Sequence, residues 1–297
     1  MNKPGFAWGP ATRLPQPDSP KTLADEAYQR IHDDIISGQF APNDKLQPDA
    51  LRQRYNIGLS PLREALSRVA LEGLAVAEGQ RGFFVAPATR GELHDIADLR
   101  TSLSMMALER SIRFGGDEWE NSVVTTYYQL HKLETQTKRD PDSYRDEWER
   151  RNRDFHQALE SGCGSPWLLH FCDILYDQHE RYRRRFVVYT DIDAAIAEEH
   201  RQIMELALAR DLRACEVLKA HFEHASKVIS DFMERAETAA AAKKAGAGDP
   251  AAAKPTRART TKATTTKATS AKTAAGKTAK TAKTAGSSKP VKRTTRF

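Results

Sequence analysis

Long apolar runs and paired cysteines are missing from this chain of 297 residues. No stretch is long and apolar enough to span a membrane, and the N-terminus lacks a charged segment followed by an apolar one. Cys163, Cys172 and Cys215 lack the spacing of a zinc knuckle or a redox pair. These absences predict a cytoplasmic protein whose thiols are reduced and structural.

Acidic and aromatic residues are almost absent from the C-terminal part of the chain. From Ala239 onward there are fifteen Lys and Arg, one acid (Asp249) and no aromatic residue before Phe297. The net charge of +6 therefore divides into +14 in this part and −8 in the rest. Because such a segment cannot bury a core, we predict a disordered basic tail over 238–297. The proline-rich residues 1–20 predict a second disordered arm.

Residues 21–88 carry the pattern of a small domain with three helices and a hairpin. A first amphipathic helix is followed by a second over Asp49–Tyr55. Gly58 is expected to supply permissive backbone angles in the tight connection that comes next. Ser60 is a good N-cap and Pro61 suits the first helical position, so the third helix is predicted to begin there.

The third helix has an apolar face and a polar face. Its predicted core residues are Leu62, Ala65, Leu66, Val69 and Leu71. Arg63, Ser67 and Arg68 are left to face outward. An exposed arginine near the start of such a helix can donate two hydrogen bonds to guanine or bind phosphate.

Two short apolar runs, 74–77 and 83–85, predict a hairpin after this helix. Arg81 and Gly82 lie at its tip, where a small cationic loop can approach the minor groove of DNA. The order of elements predicts a winged helix-turn-helix that binds double-stranded DNA. The alternative is an ordinary small helical domain whose arginines are merely solvated.

This segment resembles the GntR family of bacterial transcription regulators. The motifs that carry the resemblance are Ile36-x-Gly38, Leu46, Gly58-Leu59-Ser60-Pro61-Leu62-Arg63-Glu64-Ala65-Leu66, Glu72-Gly73-Leu74 and Arg81-Gly82-x-x-Val85. The resemblance implies DNA contacts by Arg63, Arg68, Arg81 and Gly82, with Ser60 on the turn that leads into the recognition helix. Leu59 stands where many members have an arginine and Asn43-Asp44 replaces the usual proline-glycine turn, so no operator sequence can be borrowed from a relative.

After a predicted linker over 89–92, residues 93–237 show long helical segments with no strand signal. Breaks are predicted at Gly115-Gly116, Asp140-Pro141, 162–166, 189–191 and 210–211. Six or seven helices of this length predict an antiparallel bundle, and hence a mainly α protein. The expected core residues are Leu99, Leu103, Met106, Leu108, Ile203, Leu206, Leu208, Val217 and Leu218.

Four residues of the bundle have the spacing of metal ligands. Asn152 and His156 lie one helical turn apart, and His200 and His221 can reach the same level of an antiparallel hairpin. Three imidazoles and a carbonyl oxygen suit a divalent metal, zinc above all, with positions left open for an anion. Alternatively, nine histidines produce some pairs on one face by chance, and a buried histidine usually has a hydrogen bond.

The bundle resembles the FCD domain, the effector-binding domain of the FadR-like branch of the GntR family. The motifs concerned are Asp98-Leu99-Arg100, Asn152-x-x-Phe155-His156, Tyr176-x-Gln178-x-x-Arg181-Tyr182, Glu199-His200-x-x-Ile203 and His221. The resemblance implies that the four residues named above bind metal and that a small carboxylate completes the coordination. Arg100 either pairs with that carboxylate or is a surface residue, and Ser104 replaces a glutamate common in this domain.

Together these patterns predict a ligand-responsive transcription regulator, in this family most often a repressor. A homodimer with two DNA-reading helices predicts a palindromic operator with half-sites about one helical turn apart. One alternative is an architectural nucleoid protein dominated by its tail, since a flexible polycation binds DNA without reading it. Another is a metalloenzyme, which is disfavoured because no general base is paired with the ligands.

Overall fold

The computed structural model describes residues 22–135, 141–186 and 194–246. The elements of the N-terminal domain are α1 (Leu23–Ile36), β1 (Lys45–Leu46), α2 (Pro48–Tyr55), α3 (Leu59–Leu71), β2 (Ala75–Glu78) and β3 (Gly82–Val85). Those of the bundle are α4 (Arg90–Phe114), α5 (Asp117–Glu134), α6 (Pro141–Ser161), α7 (Pro166–Phe186), α8 (Ala194–Leu208) and α9 (Arg213–Gly246). The expected mainly α fold, a winged helix-turn-helix followed by a helical bundle, is confirmed.

The wing is an antiparallel sheet with strand order β1-β3-β2. Ala75 pairs with Val85 and Glu78 with Gly82, and a short 3-10 turn joins the two strands. Gly82 has a φ of +98°, a backbone conformation that favours glycine. The sequence analysis missed β1, because a strand of two residues has no periodicity to detect.

The turn before the recognition helix α3 differs from the prediction. Gly58 has an extended backbone with φ −64°, and Asn56 is the left-handed residue with φ +55°. Asparagine tolerates this region better than most residues, so it reverses the chain here. Helix α3 begins at Leu59 after a Gly58 N-cap without a side-chain hydrogen bond, which places Ser60 in the first turn instead of at the N-cap.

The core of the N-terminal domain forms between α1, α2, α3 and the sheet. Four apolar residues of α3 at helical spacing are buried: Leu62, Ala65, Leu66 and Val69. Leu71 is 87% exposed, so its predicted burial is wrong. It lies two residues after Val69, which turns it to the opposite side of the helix.

The bundle has its helix breaks where the sequence predicts them at Gly115-Gly116, 162–166 and 210–211, and α6 begins at Pro141. The predicted break at 189–191 lies outside the described residues. Leu108, Ile203 and Leu218 are buried in the main core, with Leu206, Leu208 and Val217 packed against it; Leu103 packs against a smaller buried cluster.

Two predicted core residues of α4 are on the surface. Leu99 is 57% exposed and Met106 is 51% exposed. The buried face of α4 instead includes Ile96, Arg100 and Ser104. Leu99 and Met106 are seven residues apart and therefore share another face of the same helix.

Two predicted domain boundaries are also wrong. Thr89 is the N-cap of α4, its hydroxyl accepting a hydrogen bond from the Glu92 amide, so 89–92 is the start of this helix and not a separate linker. Helix α9 continues to Gly246, so residues 238–246 are helical. The predicted arm 1–20 and the remaining tail, 247–297, lie outside the described residues. No helix in the described ranges is long and apolar enough to cross a membrane.

The turn between α4 and α5 is tightly packed and gives a stability prediction. A Cβ on Gly115 would lie 2.6 Å from the Ser111 carbonyl oxygen and 2.7 Å from the Trp119 ring. Overpacking of this kind costs about 1–3 kcal/mol, so Gly115→Ala should lower the free energy of unfolding by that amount in a urea titration. Gly91→Ala is the control, because a Cβ at Gly91 meets nothing within 4 Å. Equal stability of Gly115→Ala and the wild type would contradict the packing described here.

Candidate functional site

Three histidines and one asparagine meet inside the bundle. Helix α6 supplies Asn152 and His156, α8 supplies His200 and α9 supplies His221. One ligand nitrogen from each imidazole lies within 4.8 Å of the others. The antiparallel hairpin of α8 and α9 brings His200 and His221 to one level, with ring centroids 4.6 Å apart.

Several polar atoms of this cluster are buried without a hydrogen bond. Within the described part of the chain, Asn152 Oδ1, His156 Nε2 and His200 Nε2 have no partner. A buried polar atom left unpaired costs about 1–3 kcal/mol. Two unpaired imidazole nitrogens, which are preferred zinc ligands, together with an unpaired amide oxygen one helical turn from His156, fit a bound divalent metal.

Two carboxylates form hydrogen bonds with the Nδ1 atoms of His200 and His221. His200 Nδ1 lies 3.0 Å from Glu134 Oε1, and His221 Nδ1 lies 2.8 Å from Glu199 Oε2. The Trp148 indole N–H also donates to Glu134. A carboxylate on the far nitrogen fixes the ring orientation and makes the free nitrogen a better ligand.

The electrostatics of the cluster favour neutral imidazoles at His156 and His221. Burial, together with the neighbouring His221 and Arg100, lowers the pKa of His156 well below its usual value. Burial also lowers the pKa of His221 to about 4, although Glu199 opposes it. Burial alone would raise the pKa of Glu134, but His200 holds it below its usual value. Neutral imidazoles keep the lone pair that a metal needs.

Arg100 lies beside the cluster and is only 3% exposed, so the alternative of a surface position is wrong. Its guanidinium lies 4.0 Å from the Phe222 ring centroid and 4.7 Å from that of Tyr176. Phe222 also contacts His156, with ring centroids 5.3 Å apart. Among the described residues, Arg100 has no ion pair with an acidic side chain. Burial lowers the pKa of Arg100 to about 10, so it stays cationic at neutral pH.

His179 is a further neighbour of this site. It is buried, with Nδ1 3.1 Å from the Arg100 guanidinium and Nε2 3.2 Å from the Ser226 hydroxyl. Glu134 was missed, because nothing in the sequence links it to His200, 66 residues away. Glu199 had a signal, since it directly precedes His200.

The predicted DNA contacts lie on α3 and on the wing. Ser60, Arg63 and Ser67 are exposed on α3. At the wing, Arg81 is exposed and pairs with Glu78 at 2.5 Å, and Gly82 follows it directly.

Arg68 differs from the expected outward arginine. It is half-buried, donates to Asp25 at 2.8 Å and lies 4.2 Å from the Tyr28 ring centroid, so α1 holds its guanidinium in this structure.

Family models match both domains of the chain. The model of the bacterial regulatory proteins of the gntR family matches residues 23–85, and the FCD domain model matches residues 95–224. These matches confirm the two resemblances that the sequence motifs carry.

Two relatives match about seven tenths of the chain. The HTH-type transcriptional regulator BphR of Paraburkholderia xenovorans (strain LB400) is 38% identical over 213 residues, 71% of this chain and 87% of that protein. The HTH-type transcriptional repressor GlaR of Escherichia coli (strain K12) is 36% identical over 213 residues, 70% of this chain and 96% of that protein.

A solved structure shows the same fold at low sequence identity. E. coli McbR/YncC superimposes with a TM-score of 0.59 at 17% identity, over 71% of this chain and 98% of that chain. The two family models and the two relatives agree on one assignment. The chain belongs to the GntR family of bacterial transcription regulators and carries an FCD domain.

Proposed function

We propose that this protein is a transcription repressor, a homodimer whose affinity for operator DNA is controlled by a small carboxylate bound beside a divalent metal in the bundle. The observation that carries the proposal is the buried histidine cluster with unpaired ligand atoms next to Arg100. The relative that is named a repressor, at 36% identity, supports the direction of control.

In this proposal Asn152, His156, His200 and His221 hold the metal, and zinc is favoured because imidazole is among its preferred ligands. When bound, the metal supplies a positive charge that a carboxylate oxygen can coordinate. Since all four ligands are neutral, none of them offsets that charge. The guanidinium of Arg100, which has no ion pair among the described residues, adds a second cation beside the cluster. An acid that contacts both is the ligand that this arrangement favours.

The DNA-binding surface in this proposal consists of Ser60, Arg63 and Ser67 on α3 with Arg81 and Gly82 on the wing. The exposure of Ser60, Arg63, Ser67 and Arg81 supports this role. Arg68 joins them if its guanidinium leaves Asp25 for a phosphate. Helix α3 then reads the major groove and the wing follows the minor groove.

The dimer interface in this proposal is an apolar surface that we name the α4–α7 face. It consists of Leu99 and Met106 on α4 and Trp167 and Phe171 on α7, all of them exposed. The two helices pack together through a buried cluster that includes Leu168 and Cys172, the residues directly after Trp167 and Phe171. Large exposed apolar side chains on two helices that pack together are typical of an interaction surface.

The proposed dimer predicts that negative charge on the α4–α7 face prevents dimerisation. The double variant Leu99→Glu/Met106→Glu should be monomeric in sedimentation equilibrium at concentrations where the wild type is dimeric, because paired copies would bury four carboxylates. Tyr128→Glu is the control, since Tyr128 is an exposed aromatic residue on α5. A double variant with the wild-type mass would refute this interface.

The DNA-binding role predicts a loss of affinity in Arg63→Ala. A single base or phosphate contact of this kind is worth about 1–3 kcal/mol, so the Kd should rise about 5- to 150-fold. Mobility shifts at one fixed salt concentration, on a fragment selected from genomic DNA by the wild-type protein, would measure it. Arg113→Ala removes an exposed arginine of the bundle as the control and should leave the Kd unchanged. An unaltered Kd in Arg63→Ala would exclude Arg63 from the contact surface.

The metal site predicts about one metal ion per chain in the purified protein. His156→Ala and His200→Ala should each lose the metal after dialysis, because removing one imidazole leaves an incomplete ligand set. Elemental analysis by mass spectrometry measures the content, and circular dichroism verifies that both variants are folded. His170→Ala changes a histidine outside the cluster and should keep the metal. Full metal content in both cluster variants would overturn the site.

A further inference from the structure

Three consecutive residues of α7 contact three different parts of the molecule. They are Tyr176, Asp177 and Gln178, which we name the coupling segment. Successive side chains of an α-helix point about 100° apart, so three in a row reach partners on different sides of the helix. One turn of α7 thereby touches both the histidine cluster and the DNA-binding domain.

Tyr176 is the contact to the histidine cluster. Its buried hydroxyl accepts a hydrogen bond from Asn152 Nδ2 at 2.8 Å. This bond engages the amide nitrogen of Asn152 and leaves the unpaired Oδ1 as its free ligand atom. Tyr176 therefore acts as a positioning residue for the asparagine ligand.

Asp177 is the contact to α1. One carboxylate oxygen lies 3.2 Å from His32 Nε2, and the other accepts a hydrogen bond from Arg153. Arg153 directly follows Asn152 on α6 and also donates to Glu180 at 2.7 Å. The same carboxylate therefore joins α1 of the DNA-binding domain to the helix that carries two of the proposed ligands.

Gln178 is the contact to the recognition helix. Its buried amide nitrogen donates to the Glu72 carbonyl oxygen at 2.7 Å, and Glu72 is the C-cap of α3. The Glu72 carboxylate accepts a hydrogen bond from the Tyr28 hydroxyl, and Arg68 of α3 lies over the Tyr28 ring. The last turn of α3 is thus attached to α7 through one side chain.

We propose that the coupling segment transmits the state of the metal and effector site to the recognition helix. A ligand that moves Asn152 changes the hydrogen bond to Tyr176, and α7 carries Asp177 and Gln178 with it because a helix moves as a rigid element. The position of α3 relative to the bundle changes as a result. This proposal rests on the proposed function, since it needs a metal at Asn152 and the histidines.

Hydrogen–deuterium exchange of the full chain, stripped of metal and then loaded with Zn²⁺ alone, tests the proposal without knowledge of the effector or the operator. In the wild type, zinc should slow exchange around His156 and His200 and also change it about fivefold or more in the peptide that contains 68–74. Gln178→Ala should keep the first effect and lose the second. Gln202→Ala removes an exposed glutamine amide from α8 and should behave as the wild type.

Tyr176→Phe adds a separate test, because it removes only the hydroxyl. Zinc affinity should fall about 10- to 100-fold, as for other residues that orient a metal ligand. Unchanged zinc affinity in this variant would show that Tyr176 does not position Asn152 for the metal.

The outcomes separate the two proposals. If zinc slows exchange around the histidines of the wild type but does not change exchange at 68–74, the proposed role of the coupling segment is wrong and the metal site is supported. A change at 68–74 that persists in both Gln178→Ala and Asp177→Asn overturns this route and assigns the coupling to the chain connection at 86–89. No zinc effect in either region overturns the metal site and the coupling together.

Discussion

The bundle buries polar side chains that its own hydrogen bonds do not satisfy. Asn152, His156 and His200 each bury an unpaired polar atom, and ligand nitrogens of His156, His200 and His221 lie within 4.8 Å of one another. At about 1–3 kcal/mol for each unpaired atom, the total is a sizeable part of the 5–15 kcal/mol that stabilises a typical folded domain. A cation bound by these atoms would remove this cost.

Charged side chains around the cluster add to the cost of burying polar groups. Glu134 and Glu199 orient two imidazoles, whereas Arg100 is buried against aromatic rings and forms no ion pair among the described residues. A buried cation without a counterion is costly, and an anion that enters the site relieves the cost. In the proposed function, the four proposed ligands and Arg100 are complementary to a carboxylate, and binding of that effector would add to the stability of the bundle.

Contacts within one helix or one hairpin could be predicted from the sequence. The spacing of Asn152 and His156, and the level of His200 and His221 on the hairpin, follow from helical periodicity. Contacts between distant helices could not be predicted, as Glu134 on His200 and Gln178 on Glu72 illustrate. Two other predictions were wrong at the level of single residues. Asn56, and not Gly58, takes the left-handed backbone conformation. Leu99 and Met106 occupy a face of α4 that the bundle does not cover.

The most direct measurement is X-ray diffraction at the zinc absorption edge, from crystals of the full chain grown with zinc. A zinc ion in this cluster would give one anomalous peak about 2.0–2.1 Å from an imidazole nitrogen of each of His156, His200 and His221, with Asn152 Oδ1 as the fourth protein ligand and an open position toward Arg100. A histidine cluster without a peak in zinc-loaded crystals would contradict the central claim.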